Sequence, residues 1–417
     1  MTALEYDRTF IWHPYASLKN PPPVRLVKSA SGTELTLADG SRLTDAVASW
    51  WCVAHGHNHP AITEAIRRQS EKLSHVMFGG FTHEPAVELA QRLAAIAPEG
   101  LNKVFFADSG SIAIEVAAKM CIQYQHAKGR KGRTKLLALK GGYHGDTAGA
   151  MALSDPDGMH TLFAGIMPKH YFAAMPDGRI DGWDFEQVMD AHRDEIAGVF
   201  CEPIFQAANA MNFYDAEYLR VMRRMCDELD IPLVFDEIAA GLFRTGPKWA
   251  HERSGVKPDI MTVGKALTGG HITLAATLAS EQVAETISGG SPSAFMHGPT
   301  YMANPLACAA GIASLKLFER GDYEAKARNI ERILKEEGIA QTMGAVGVIK
   351  VKALPRREEI ERAINEYGVW LRPFCNFIYT MPPLTIKEDD LRRVCAAMKD
   401  LAACPPGEEF AEGDFHE

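Results

Sequence analysis

Four features are missing from this sequence, and each absence closes off a class of function. The eight cysteines (Cys52, Cys121, Cys201, Cys226, Cys308, Cys375, Cys395 and Cys404) lie far apart with no Cys-x-x-Cys pair, so no zinc ribbon or dithiol redox couple is indicated and they read as reduced, mostly buried thiols. No stretch reaches the roughly 18 apolar residues of a spanning helix, and the opening MTALEYDRTF is too polar for a signal peptide. The expectation is a cytoplasmic protein that engages no membrane. Positive charge is in deficit, with 44 Lys and Arg against 53 Asp and Glu and a formal net charge of -9. The basic cluster from Lys128 to Lys135 is short, so nucleic acid is not an expected partner. Finally, no Gly-x-x-x-x-Gly-Lys-Ser/Thr loop is present, which weakens any reading of a strand-end acid as the magnesium ligand of a nucleotide hydrolase.

What is present suits a globular enzyme. The chain has 417 residues, 47% hydrophobic and 23% charged, more than one core normally serves, so a large domain and a smaller one are expected. Residues 24–47 alternate apolar stretches with the turn dipeptides Ser31-Gly32 and Asp39-Gly40, which predicts an appended antiparallel meander. From about residue 60 the runs KVFFA (103–107), KLLAL (135–139), AGVFC (197–201), PLVF (232–235) and DIMTV (259–263) alternate with helical segments. Short continuous apolar strands separated by helices predict an α/β fold with a mostly parallel sheet covered on both faces. Beyond residue 305, helical LACAAGIASLKLFE and EEIERAINEYG flank the strands GVIKV and VWLRPF, a second, small α+β unit. The expected organisation is an N-terminal segment, 1–48, joining the small domain, a large ligand-binding domain over 49–305, and a C-terminal small domain over 306–417. The last residues, 405–417, read as a frayed acidic tail.

Four local features follow one another along that predicted sheet. Asp108-Ser109-Gly110-Ser111 lies between KVFFA and the helical IAIEVAAKMCIQY, where small residues and a helix N-terminus can cup a phosphate; alone, it reads as readily as an ordinary helix cap. Gly142-Tyr143-His144-Gly145 places an aromatic ring in a glycine-flanked loop, able to stack on a flat ligand or simply to be an exposed tyrosine. Asp236-Glu237 ends PLVF, where open α/β sheets bind ligands, and a carboxylate facing a pyridine nitrogen keeps it protonated. Gly264-Lys265-Ala266 follows DIMTV, 29 residues after Asp236; a lysine at an apolar strand end loses its proton easily and can form a Schiff base. Each signal is weak alone. Together, in this order, they describe a site for pyridoxal 5'-phosphate (PLP).

On these residues, and on the blocks IWHPYASL (11–18), SWWCVAHGHNHP (49–60), SHVMFGGFTHEPA (74–86), ADSGSIAIEVAAKM (107–120), GYHGDTAGAM (142–151), GKALTGG (264–270), FMHGPTYMANPLACAA (295–310) and GVWLRPF (368–374), the chain resembles the class III, or omega, aminotransferases of fold-type I. The resemblance implies catalytic roles for Lys265, Asp236 and Tyr143 and phosphate contacts from Gly110 and Ser111. It further implies that Pro299 and Thr300 reach the phosphate of a neighbouring subunit, so that a homodimer carries its active sites at the interface. For substrate it nominates Tyr15, Trp50, Tyr143, Lys265, Gly298 and Arg372. Of these, Arg372 is chemically suited to hold a carboxylate bidentately. The tryptophan pair and FMHGPT are similar to the branch of the family that uses S-adenosylmethionine as amino donor and 8-amino-7-oxononanoate as acceptor in biotin biosynthesis. A relative using lysine as donor, or another omega-aminotransferase, is the alternative. A non-catalytic PLP-binding regulator is a more distant one, and no DNA-binding segment is visible.

The chain departs from the family pattern at Ala207-Ala208-Asn209-Ala210, where relatives are glycine-rich, and at Leu242-Phe243, where they prefer a glycine. The second departure makes Arg244 a doubtful substrate contact. The link between Ile339 and Val346 also looks short. His55, His57 and His59 could suggest a metal site, but no cysteine or carboxylate cluster accompanies them, and a structural loop with no metal is expected.

Overall fold

A computed structural model describes residues 1–175, 183–208 and 211–407. Its centre is a seven-stranded sheet: β1 (Leu101–Ala107), β2 (Lys135–Leu139), β3 (Tyr171–Ala173), β4 (Ile196–Cys201), β5 (Leu233–Asp236), β6 (Ile260–Val263) and β7 (Ala275–Ser280). The spatial order is β1-β7-β6-β5-β4-β2-β3. β5 pairs in parallel with β4 and β6, and β2 with β3 and β4, whereas β7 runs antiparallel to both β1 and β6. Five of the seven strands match the apolar runs read from sequence, for a physical reason: β4, β5 and β6 are buried along their whole length, as strands covered on both faces must be. Each buried Val, Leu or Phe there contributes about 1.5–3 kcal/mol relative to exposure.

Helix Gly110–Ala127 crosses one face of the sheet, capped by Ser109, whose Oγ accepts from the Ile112 amide. Helix Pro305–Arg320 starts on a proline behind the Asn304 cap and buries eleven residues; it packs on helices Pro60–Ser70 and Glu84–Ile96 and on the turn Lys265–Thr268. That helix therefore touches the turn carrying Lys265. The predicted meander is present as Val27–Ser31, Glu34–Leu37 and Arg42–Asp45. Its last strand pairs in parallel with Val369–Trp370, so the N-terminal segment and the C-terminal unit share a sheet. A hairpin, Gln341–Met343 with Val346–Lys350, occupies the short link after Ile339. Its turn is tight: a Cβ on Gly344 would lie 2.4 Å from the Gly246 amide nitrogen. No helix among the described residues is long and apolar enough to cross a membrane. The acidic tail from residue 408 onward, and Asn209 and Ala210 of the altered loop, lie outside the described residues.

The three alternating histidines go to three different partners. His55 lies between Tyr323 and Ser314, His57 faces Asp45 at 2.9 Å, and His59 caps helix Pro60–Ser70.

Candidate active site

The C-terminal ends of β1, β2, β4, β5 and β6 open on one edge of the sheet, where β7 begins, and that edge gathers the residues singled out from sequence. At the end of β5, the Asp236 carboxylate is fixed on both oxygens. Oδ1 accepts from the Ile238 amide at 3.0 Å and the Thr262 hydroxyl at 3.2 Å, and Oδ2 faces His144 Nδ1 at 2.8 Å. His144 is buried; burial opposes its charge, but the hydrogen bond and field of Asp236 win and raise its pKa. One strand over, Glu202 follows β4 and accepts the Tyr143 and Ala207 amides at 3.0 and 2.9 Å. Burial, reinforced by Asp236 and opposed by His144, lifts its carboxyl to about 7.

Lys265 follows β6 by one glycine and sits with φ +43, in the left-handed region. Desolvation lowers the pKa of its amine, against the fields of Asp236, Glu202 and Asp146. The amine lies 4.9 Å from the centre of the Trp51 ring. Trp51 arrives there through an unusual local structure: Ala48, Ser49, Trp50 and Trp51 all have positive φ, between +46 and +71. A left-handed turn without glycine costs roughly 1–2 kcal/mol per residue, and conserving it requires outside support. Asp45 accepts the Val47 amide at 3.2 Å and the Ser49 hydroxyl at 2.8 Å. From beneath, Arg244 donates to the carbonyls of Trp51 and Pro382. This turn splays the two tryptophans apart, Trp51 inward under Lys265 and Trp50 outward under Arg372, whose guanidinium carbon is 4.5 Å from the Trp50 ring centre. Arg244 is thus a fully buried backbone clamp, and the doubt about it as a substrate contact has a structural basis.

At the end of β1, the Gly110 and Ser111 amides belong to the first turn of an 18-residue helix, where N–H groups have no intrahelical acceptor. Ser111 Oγ accepts from the Asp146 amide at 3.2 Å, leaving its own proton to donate. Gly145 is required beside it: with φ +125, a Cβ there would lie 2.1 Å from Ser111 Oγ. Asp146 then ties two aromatic rings to this loop, accepting from Tyr15 at 2.8 Å and from Tyr143 at 3.0 Å, with His160 Nε2 at 3.0 Å. The Tyr143 and His160 rings stack at 5.9 Å. Tyr15 feels the charge of Arg372, which closes the set around Lys265. An anion cup, a buried carboxylate, a depressed amine and a stacking ring fit PLP, the group the sequence implies.

Gly298, Pro299 and Thr300 are not brought to this set within the chain. They lie in a loop on the outer side, where the Thr300 carbonyl accepts from His75 and the neighbouring His297 meets Lys119. Sequence reasoning missed His144, Asp146, His160 and Glu202 as site residues. His144 and Asp146 lie within the quoted Gly-Tyr-His-Gly-Asp block, and Glu202 ends a buried strand as Asp236 does, so strand-end position was the available signal for it.

Comparison with known proteins agrees with this geometry. The family model "Aminotransferase class-III" matches residues 15–402. A protein named adenosylmethionine-8-amino-7-oxononanoate aminotransferase from Buchnera aphidicola subsp. Schizaphis graminum is 44% identical over 407 residues, covering 93% of this chain and 94% of that protein. One of the same name from Corynebacterium glutamicum is 42% identical, covering 94% and 97%. Among solved structures, one of that name from Methanocaldococcus jannaschii superposes with TM-score 0.89 at 30% identity, over 95% of this chain and 98% of that one. A PLP-bound amine transaminase from an uncultivated Pseudomonas species gives 0.87 at 28%, over 95% and 99%. The fold, the geometry at the strand ends and these matches agree: the chain belongs to the class III aminotransferases.

Proposed function

We propose that this protein is a PLP-dependent transaminase that moves an amino group from S-adenosylmethionine to 8-amino-7-oxononanoate, yielding 7,8-diaminononanoate for biotin biosynthesis. The observation carrying the substrate reading is the pair of stacks on adjacent tryptophans, Lys265 on Trp51 and Arg372 on Trp50. They set a carboxylate anchor and a reactive amine on opposite sides of one turn, with Tyr15 and Trp50 as walls for an aliphatic chain or a sulfonium cation. PLP, when bound, supplies an aldehyde that condenses with amines and a ring that withdraws electrons. Gly110 and Ser111 would hold its phosphate, and Tyr143 would cover the ring. Asp236 would keep a proton on the pyridine nitrogen, while Lys265 would carry a proton to and from the substrate carbon. The donor is tested by mixing the loaded enzyme with S-adenosylmethionine or lysine and following loss of the cofactor's visible band; conversion by lysine alone would overturn the donor and leave the acceptor standing.

Arg372→Ala is expected to raise the KM for 8-amino-7-oxononanoate, since a charge-assisted hydrogen bond contributes about 1.5–3 kcal/mol, or roughly 10–150-fold in affinity. Steady-state kinetics with the acceptor varied check this, and an unchanged KM removes Arg372 from the site.

We further propose a cytoplasmic homodimer whose sites are completed across the interface, divided as 1–48, 49–305 and 306–417, with the first segment attached to the last through the shared sheet. The outward position of Pro299 and Thr300 supports this, as do the large apolar side chains left on the surface: Phe10 is 73% exposed, Trp12 72%, Met296 70% and Tyr301 60%. A monomer rarely leaves so many uncovered. Mixing inactive Lys265→Ala subunits with inactive Thr300→Arg subunits is expected to restore about a quarter of wild-type activity, because half the dimers are hybrids and each hybrid has one intact site. Verified hybrids with no recovery would count against the arrangement in trans.

A further inference from the structure

We infer that His55 is a positioning residue for Lys265, acting through a one-way hydrogen-bond relay, Tyr323 to His55 to Ser314 to the Ala266 carbonyl, that holds the turn on which the lysine stands; this rests on the role proposed above for Lys265. The relay begins at the turn itself. Ser314 Oγ donates to Ala266 O at 3.0 Å, so towards His55 Nε2, 2.9 Å away, it can only accept. His55 therefore carries its proton on Nε2, and its bare Nδ1 accepts from the Tyr323 hydroxyl at 2.6 Å. With the imidazole neutral, every bond in the chain points toward Ala266.

The surroundings enforce that state. His55, Ser314 and Tyr323 are all buried. Burial holds the imidazole down to about 3 and pushes the Tyr323 phenol up to about 12. The ring packs 4.3 Å from Phe318 and edge-on to Tyr323 at 5.2 Å. Phe243 joins the same cluster at 5.5 Å from Phe318 and 6.1 Å from Tyr323. Phe243 thus adds to the packing around His55.

What is being held is a strained turn. Lys265 at φ +43 opens it and Gly269 at φ +60 closes it, and a left-handed non-glycine residue persists only where its surroundings over-determine it. His55 reaches both ends. Through Ser314 it fixes the carbonyl next to Lys265, and its Cδ2 edge lies so close to Gly269 that a Cβ there would come within 3.2 Å. Because the relay ends on a carbonyl, it delivers no proton to the amine; it sets where the amine stands.

The test uses the full-length protein, with cofactor and without it. Tyr323→Phe keeps the ring and removes the donor, and Ser314→Ala removes the link to Ala266. Each is expected to lower kcat about tenfold while both KM values stay within about twofold, and the double variant should be no worse than the worse single one, because the relay acts as a unit. Amide hydrogen exchange in 264–270 of the cofactor-free protein should rise about tenfold, with the central strands unchanged. Should Ser314→Ala fail to fold, Tyr323→Phe alone decides. Unchanged exchange at 264–270, or losses that multiply in the double variant, would overturn the relay. Borohydride trapping of wild-type protein separates the two readings: cofactor found on another lysine defeats the role of Lys265, while the exchange result still tests the relay.

Discussion

Lys265→Ala protein is expected to lose transamination by roughly 10⁴-fold or more, because the proposed function gives the residue two tasks, as the amine that holds the cofactor and as the base that moves the proton, and proton transfer alone contributes about 10²–10⁴. The structure places three conditions for that chemistry around one nitrogen. Burial lowers its pKa, so the reactive free amine is more populated than in an ordinary lysine. Asp236 and Glu202 oppose the shift and keep the protonated form within reach, as a group that both takes and gives a proton requires. The Trp51 face, 4.9 Å away, favours the cation and fixes its direction. Lys265→Arg should be nearly as inactive, since a guanidinium stays charged and cannot condense with an aldehyde. Small exogenous amines should restore part of the Lys265→Ala loss by supplying a base. The check is single-turnover conversion together with peptide mass mapping after borohydride reduction. Activity within tenfold of wild type, or the reduced cofactor on another lysine, would reject the assignment.

Lys265 and Asp236 were legible in the sequence because their placement is local: each ends a short, continuously apolar run, and a strand buried on both faces announces its own end. The helix start at Ser109–Gly110, directly after a strand, was legible for the same reason. β7 (Ala275–Ser280) was not, since its sequence AATLAS is small-residue and mixed, neither a continuous apolar run nor an alternation. Contacts across sequence were also hidden. His144 and Asp236 are 92 residues apart, and only the neighbouring positions of their strands in the sheet bring them together. The turn Ala48–Trp51 could not be foreseen because it has no glycine; its left-handed backbone is imposed by Asp45 and by Arg244, nearly 200 residues later. Arg244 shows the same limit from the other side. Its residue type suggests a carboxylate anchor, and only the structure reveals that both of its Nη groups donate to backbone carbonyls.

Asp236→Asn is expected to keep the fold and cofactor binding and to lose about 10²–10³ in turnover, the range found when one preorganised electrostatic group is removed from a reacting centre. Retention of binding follows from where the other proposed contacts lie: Gly110 and Ser111 and the amine of Lys265 belong to other strand ends. Retention of the fold follows from the hydrogen bonds. The amide oxygen of Asn can still accept from the Ile238 amide and the Thr262 hydroxyl, as Oδ1 of Asp236 does at 3.0 and 3.2 Å. Its NH2 group would face His144 Nδ1, now 2.8 Å from Oδ2, and His144 can meet that donor by becoming neutral and accepting. That change is the core of the prediction. The raised pKa of His144 depends first on its bond to Asp236 and then on the Asp236 charge, so losing the carboxylate would remove both the charge proposed to hold a proton on the pyridine nitrogen and the charged partner behind it. His144→Asn should fall between wild type and Asp236→Asn, because it leaves the carboxylate in place but frees one of its oxygens. Cofactor content by absorbance, turnover, and the NMR titration of His144 in cofactor-free protein test the three parts separately. A His144 pKa shifted downward with turnover near wild type would confine Asp236 to a structural role and end its assignment as the partner of the ring nitrogen.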